Sequence, residues 1–155
     1  MRLLIAAFTL SLATSPALAQ SAPPAYGPPI SLAAARTLVD RALAAAEKGG
    51  FRMAVAIVEP SGELVAFARM DDTQYGSILV AQRKATTAAR YRTDTSTMEE
   101  RVLAGRTVTL GNPDNLPIAG GVPILIDGRI VGAIGVSGAA AAEDDAVARE
   151  ALNPR

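Results

Sequence analysis

Cysteine, histidine and tryptophan are absent from this 155-residue chain, and aromatic residues make up only 4% of it. Without cysteine there is no disulfide, zinc–thiolate site, iron–sulfur cluster or thiol nucleophile. Without histidine the commonest transition-metal ligand and the usual general base are gone as well. Charge of one sign is also missing: 15 basic residues face 15 acidic ones. No field draws in nucleic acid, and the few aromatics offer no stacking platform for bases, so a nucleic-acid partner is excluded. The acid–base groups left are carboxylates, tyrosine and lysine. They form no recognisable catalytic constellation, so the reading leans away from an enzyme. Apolar residues, by contrast, make up half the chain, enough for the core of one domain.

The N-terminus reads as an address. Met1-Arg2 gives a positive start, Leu3 to Ala13 an apolar run, and Ala17-Leu18-Ala19 a small-x-small cleavage site. Residues 1–19 are therefore expected to be a secretory signal. The run is too short to cross roughly 30 Å of hydrocarbon, so no membrane span is expected after cleavage, and the location expected is periplasmic or secreted. Residues 20–30 carry four prolines and are expected to form an extended or disordered leader. Residues 31–155 then form a single domain. Lacking disulfides, an exported domain of this size must rely on core packing or on association with copies of itself.

Within that domain Leu32, Ala35, Leu38, Val39, Ala42, Leu43 and Ala46 recur at helical spacing, with Ser31 as N-cap and Gly49-Gly50 as the stop. Met53 to Val58 and Glu63 to Met70, joined by Glu59-Pro60-Ser61-Gly62, predict a β-hairpin whose first strand, apolar on both faces, lies centrally in a sheet. Two helices follow, over 76–91 and 96–104. The second is expected to be capped by Thr95 or Ser96, with Glu99 and Glu100 in its first turn. After the turn-rich stretch 111–117, Val122 to Ile126 and Arg129 to Val136 flank Asp127-Gly128, a strong hairpin signal. A helix over 139–152 closes the chain. The order helix, hairpin, two helices, hairpin, helix predicts an α+β fold with an antiparallel sheet.

Two features stand out as candidate ligand contacts. Glycines Gly120, Gly121, Gly132 and Gly135 lie in or beside a strand, where they pack nothing and permit close approach of a backbone, a helix or a ligand. Ser137-Gly138 ends that strand ahead of a helix, and its amides suit an anion such as a carboxylate. Lys84, one of two lysines against thirteen arginines, lies on the inward side of the middle helix beside Arg83, with Arg92 further along. An inward cation needs a carboxylate, from the protein or from a ligand. The pairs Asp71-Asp72, Glu99-Glu100 and Asp144-Asp145 read as solvent-facing, without metal-ligand spacing.

The segments Gly120-Gly121-Val122-Pro123-Ile124, Asp127-Gly128 and Val131 to Gly138 resemble the GlcG/HbpS-type haem-binding family. So do Gly62 to Asp71, Ser77 to Ala89 with Arg92 and Thr95, and the tail Glu143-Asp144-Asp145 with Ala148-Arg149. The match covers about residues 31–152 in the correct order. The resemblance implies a profilin-like α+β domain, similar also to the accessory domain of some corrinoid adenosyltransferases, that assembles into homo-oligomers, often octamers. It implies an exported protein that binds or sequesters haem or another tetrapyrrole non-covalently. A second reading is a binder of small glycolate-like acids, held by Lys84 and the Ser137-Gly138 amides. A third is a non-catalytic structural oligomer. Under the first reading Tyr75, Tyr91 or Met70 supplies the axial bond to iron, since histidine and cysteine are missing, or binding is weak and apolar. The propionates then lie near Lys84, Arg83 or Arg92.

Overall fold

The computed structural model describes residues 22–153; the signal-like segment 1–19 lies outside them. The elements follow the expected order. Helix α1 spans Leu32–Lys48, strands β1 and β2 Ala54–Val58 and Leu64–Arg69, helices α2 and α3 Gly76–Tyr91 and Thr95–Leu103, strands β3 and β4 Gly121–Ile126 and Arg129–Ser137, and helix α4 Ala141–Leu152. A single 3-10 turn at Thr107–Gly111 interrupts the long connection after α3.

All three strand pairings are antiparallel, in the order β2-β1-β4-β3. Strand β1 is buried along its whole length between β2 and β4, as its unbroken apolar run predicts. Asp127 and Gly128 both take positive φ, 50° and 71°, the two-residue turn whose twist matches that of the flanking strands. Ser31 caps α1 by accepting from the Ala34 amide.

The sheet separates two cores of different character. Toward α1 and α4 it presents large side chains, among them Val55, Ile57, Val122, Ile134 and Val136. Toward α2 it presents Ala54, Ala56 and Ala133, which meet Ala81, Ala85, Ala88 and Ala89 of the helix. Small residues on both sides bring the α2 backbone down onto the sheet. At Gly135 an added Cβ would collide with the Ala81 carbonyl and sit 2.6 Å from the Ala85 nitrogen.

Three local expectations change. The Pro-rich segment, expected to be extended or disordered, is held against the sheet from Ala25 onward. Beyond the end of β1 the first residues of β4 have a free edge, and the leader takes it. Tyr26 bridges Ile130 in parallel, the Ile130 amide donates to Ala25, and the amides of Gly27 and Ile30 donate to Ile130 and Val131. The side chain of Ile30 then enters the core. Unpaired strand amides and carbonyls need partners, and an extended Pro-rich segment can supply them at an edge. The cap of α3 is Asp94 instead of Thr95 or Ser96. Thr95 faces inward, its hydroxyl accepting from the Gly121 amide and donating to the Gly121 carbonyl. Glu99 lies beyond the first turn and accepts from the Ala119 amide.

Candidate functional site

Lys84 points inward, and its carboxylate partner belongs to the chain. Its side chain is 1% exposed, with Nζ 2.7 Å from Asp144 Oδ2 and 3.1 Å from the Val136 carbonyl. Burial pushes the Asp144 carboxyl above its ordinary value, against the opposing pull of the Lys84 ammonium and of the Ala139 and Gly138 amides. Asp144, read from sequence as a solvated acid, thus takes the place assigned to a ligand carboxylate. The anion expected at the turn into the last helix is present, but it is internal: the Ala139 amide donates to Asp144 and the Ala140 amide to Glu143.

The glycines close the same space. A Cβ on Gly120 would sit 2.8 Å from the Val136 carbonyl and 3.0 Å from Lys84 Nζ. On Gly121 it would collide with the Lys84 carbonyl, and on Gly138 with the Arg52 carbonyl. Ser137 is buried and its hydroxyl donates to that of Ser77. Lys84, Gly120, Gly121, Ser137 and Gly138 lie around one space. It is filled by the α2 backbone, the Lys84–Asp144 pair and, at Gly138, the Arg52–Met53 backbone. Arg83 is on the outer side of α2 and donates to the carbonyls of Pro113 and Asn115, tying down the 112–117 turn.

The three candidate axial residues lie apart from one another and from this cluster. Tyr75 is 82% exposed at the start of α2, its ring beneath the Arg69 guanidinium. Tyr91 ends α2, and its hydroxyl accepts from Asn112. Met70 is packed against the core and its sulfur accepts from the Met53 amide. Among the described residues no group of three or more Asp and Glu side chains is placed to hold a metal ion.

An open cleft of about 840 Å³ lies instead on the α1/α4 face, along β3. Its apolar residues include Ile30, Leu38, Val122, Ile124 and Ile126, and three arginines, Arg41, Arg92 and Arg149, line it as well. Arg149 is committed: it bonds to Asp145, Asp94 and Ser96. The Asp145 and Asp94 carboxylates hold its proton more tightly than usual. Arg41 is exposed on α1. Arg92 caps α2 in the left-handed region, φ 56°, with its guanidinium 5.4 Å from the Tyr26 ring centroid. Among the described residues nothing accepts a hydrogen bond from Arg41 or Arg92 side chains. Of the sequence candidates only Arg92 belongs to this cleft. Arg41 could have been found in the sequence as a cation three residues from Leu38, at the margin of the apolar stripe. Arg149 stands among the residues of the family resemblance, with no role attached.

Fold and cleft together define a small α+β domain in which one helix covers one face of an antiparallel sheet and a helix pair covers the other beside an apolar, arginine-rimmed cleft. The family model described as haem degrading protein HbpS-like matches residues 30–153, and the chain belongs to that HbpS-like family. It is 40% identical to protein GlcG of Escherichia coli K12 over 92 residues, 59% of this chain and 69% of that protein. An uncharacterized 15.0 kDa protein of Citrobacter freundii, encoded in the dhaT-dhaS intergenic region, is 30% identical over 128 residues, 80% of this chain and 90% of that one. Among solved structures, a double mutant of Streptomyces reticuli HbpS superimposes with TM-score 0.75 at 32% identity, covering 90% of this chain and 96% of the other. A complex of PduOC with haem gives 0.72 at 26% identity, over 80% and 93%.

Proposed function

We propose that this protein binds haem or a closely related tetrapyrrole non-covalently, in the cleft along β3. The observation that carries the proposal is the pairing of an apolar floor with two arginines, Arg41 and Arg92, whose side chains donate a hydrogen bond to no described residue. A flat amphiphile with carboxylates at one edge buries its rings on such a floor and satisfies such cations, and the volume is in the range of small-molecule sites. Membership of the HbpS-like family and likeness to a haem complex support the same ligand class.

No tyrosine or methionine lines the cleft, so Tyr75, Tyr91 and Met70 do not supply an axial bond there. Binding then rests on apolar burial and carboxylate pairing, and iron is dispensable. The expected result is saturable binding of both haemin and iron-free protoporphyrin IX, with dissociation constants within about threefold. Threefold is under 0.7 kcal/mol, less than a metal–ligand bond contributes. The absorption band of bound haemin should also be the same in wild type and in Tyr75→Phe/Tyr91→Phe. Binding confined to haemin, or a band altered by the double substitution, would overturn ligand-free binding.

The small-acid reading loses its site, since Lys84 and the Ser137-Gly138 turn are filled from within. Export to the periplasm or beyond, supported by the leader pattern, and assembly into a homo-oligomer, supported by the family resemblance, are part of the proposal. Light scattering should return a mass several times that of one chain.

A further inference from the structure

We propose that Tyr26 is a positioning residue for ligand recognition, holding the Arg92 guanidinium at the cleft wall so that its edge receives one ligand carboxylate. This inference rests on the tetrapyrrole reading above and adds to it a role for the leader. Tyr26 lies in the Pro-rich segment that pairs with the start of β4, and its hydroxyl donates to the carbonyls of Ala89 and Arg90 at the end of α2, at 3.2 and 2.9 Å. Both carbonyls belong to the last turn: that of Ala89 also accepts from the Arg92 amide at 3.4 Å, whereas for Arg90 the Tyr26 hydroxyl takes the place of a helical amide. The leader is thereby fixed to the sheet and to the helix that Arg92 caps.

Arg92 is held from two directions. Its backbone takes a left-handed φ of 56°, sparsely populated by residues other than glycine, which turns the chain sharply out of α2. Its guanidinium then lies over the Tyr26 ring at 5.4 Å. A cation–π contact of this kind uses none of the guanidinium N–H groups, which stay available to a carboxylate and can match it two by two. Pro24, two residues before Tyr26, lines the cleft itself, so the leader forms part of its wall. An arginine already ordered by such a contact loses less side-chain freedom when it binds than a mobile one would.

The test compares haemin with its dimethyl ester, which keeps the macrocycle and removes both carboxylates, by titration of wild type, Tyr26→Phe, Tyr26→Ala, Arg92→Ala and Tyr26→Ala/Arg92→Ala. Wild type should prefer haemin. Tyr26→Ala should lose about fivefold in haemin affinity with ester affinity unchanged, the ester serving as the internal control for folding. Tyr26→Phe, which keeps the ring, should retain most of the preference. The double variant should bind haemin no more weakly than Arg92→Ala. Equal losses for both ligands in Tyr26→Ala, or a further loss in the double variant, would overturn positioning while leaving tetrapyrrole binding in place. Equal affinity of wild type for haemin and ester would do the same. Failure of wild type to bind either compound would overturn the tetrapyrrole reading and this inference together.

Discussion

Lys84 carries a charge into a place with no solvent, and Asp144 is the reason it can stay there. A buried ion pair is weak evidence of net stability, but taking away one member leaves the other charge uncompensated. Lys84→Met keeps much of the volume and leaves the Asp144 carboxylate alone. The expected loss at neutral pH is about 3–5 kcal/mol in urea unfolding. Lys84→Met/Asp144→Asn should recover more than half of it. The sign with pH is fixed by burial. Asp144 already titrates above its ordinary value of 3.8 in wild type, and without Lys84 it titrates higher still. A carboxyl whose folded pKa is raised contributes stability that is full below its unfolded pKa and is lost as pH rises through the folded one. The deficit of Lys84→Met should therefore be smallest near pH 3.8 and grow on going toward neutrality, and a deficit independent of pH would contradict this. Gly135→Ala is a second residue-scale test. Its new methyl would meet backbone of α2, which cannot swing aside as a side chain could, so a cost of about 1–3 kcal/mol is expected.

At the scale of elements, helical period in α1, the buried run of β1 and the Asp127-Gly128 turn were legible because each is a local pattern with one physical meaning. The strap of residues 25–30 was not, because its partner, the free edge of β4, exists only once the sheet has formed. Four prolines read as an extended or disordered leader, and nothing in them says what they will lie against. Ile30→Ala tests whether the strap is part of the fold. Ile30 is 7% exposed, and its truncation should cost about 2–3 kcal/mol in urea unfolding, where a loose leader would lose nothing. Thr95 failed as a cap for a related reason: a threonine at a helix start satisfies whichever amide is nearer, and here that is Gly121 of β3.

Across the whole molecule, sequence alone assigned the family and singled out Lys84, the glycines and Ser137, but it could not show that the space among them is filled from within. Spacing shows that glycine permits close approach and cannot show which backbone approaches; in this fold the visitor is α2 at Gly121 and Gly135, and β1 at Gly132. The cleft was hidden because its charged residues come from four separate regions: Arg41 from α1, Arg92 from the end of α2, Arg149 from α4, and the Asp94 that engages Arg149 from the α3 cap. Only Arg92 was singled out beforehand, as a propionate partner. In the proposed complex Arg41 and Arg92 receive the carboxylates of a tetrapyrrole lying on β3. Its most direct test is haemin titration of wild type against Arg41→Ala/Arg92→Ala, followed by absorbance. The account predicts saturable binding by wild type and at least a tenfold weaker complex for the double variant, about 1.4 kcal/mol or more. Equal binding by the two proteins would contradict it.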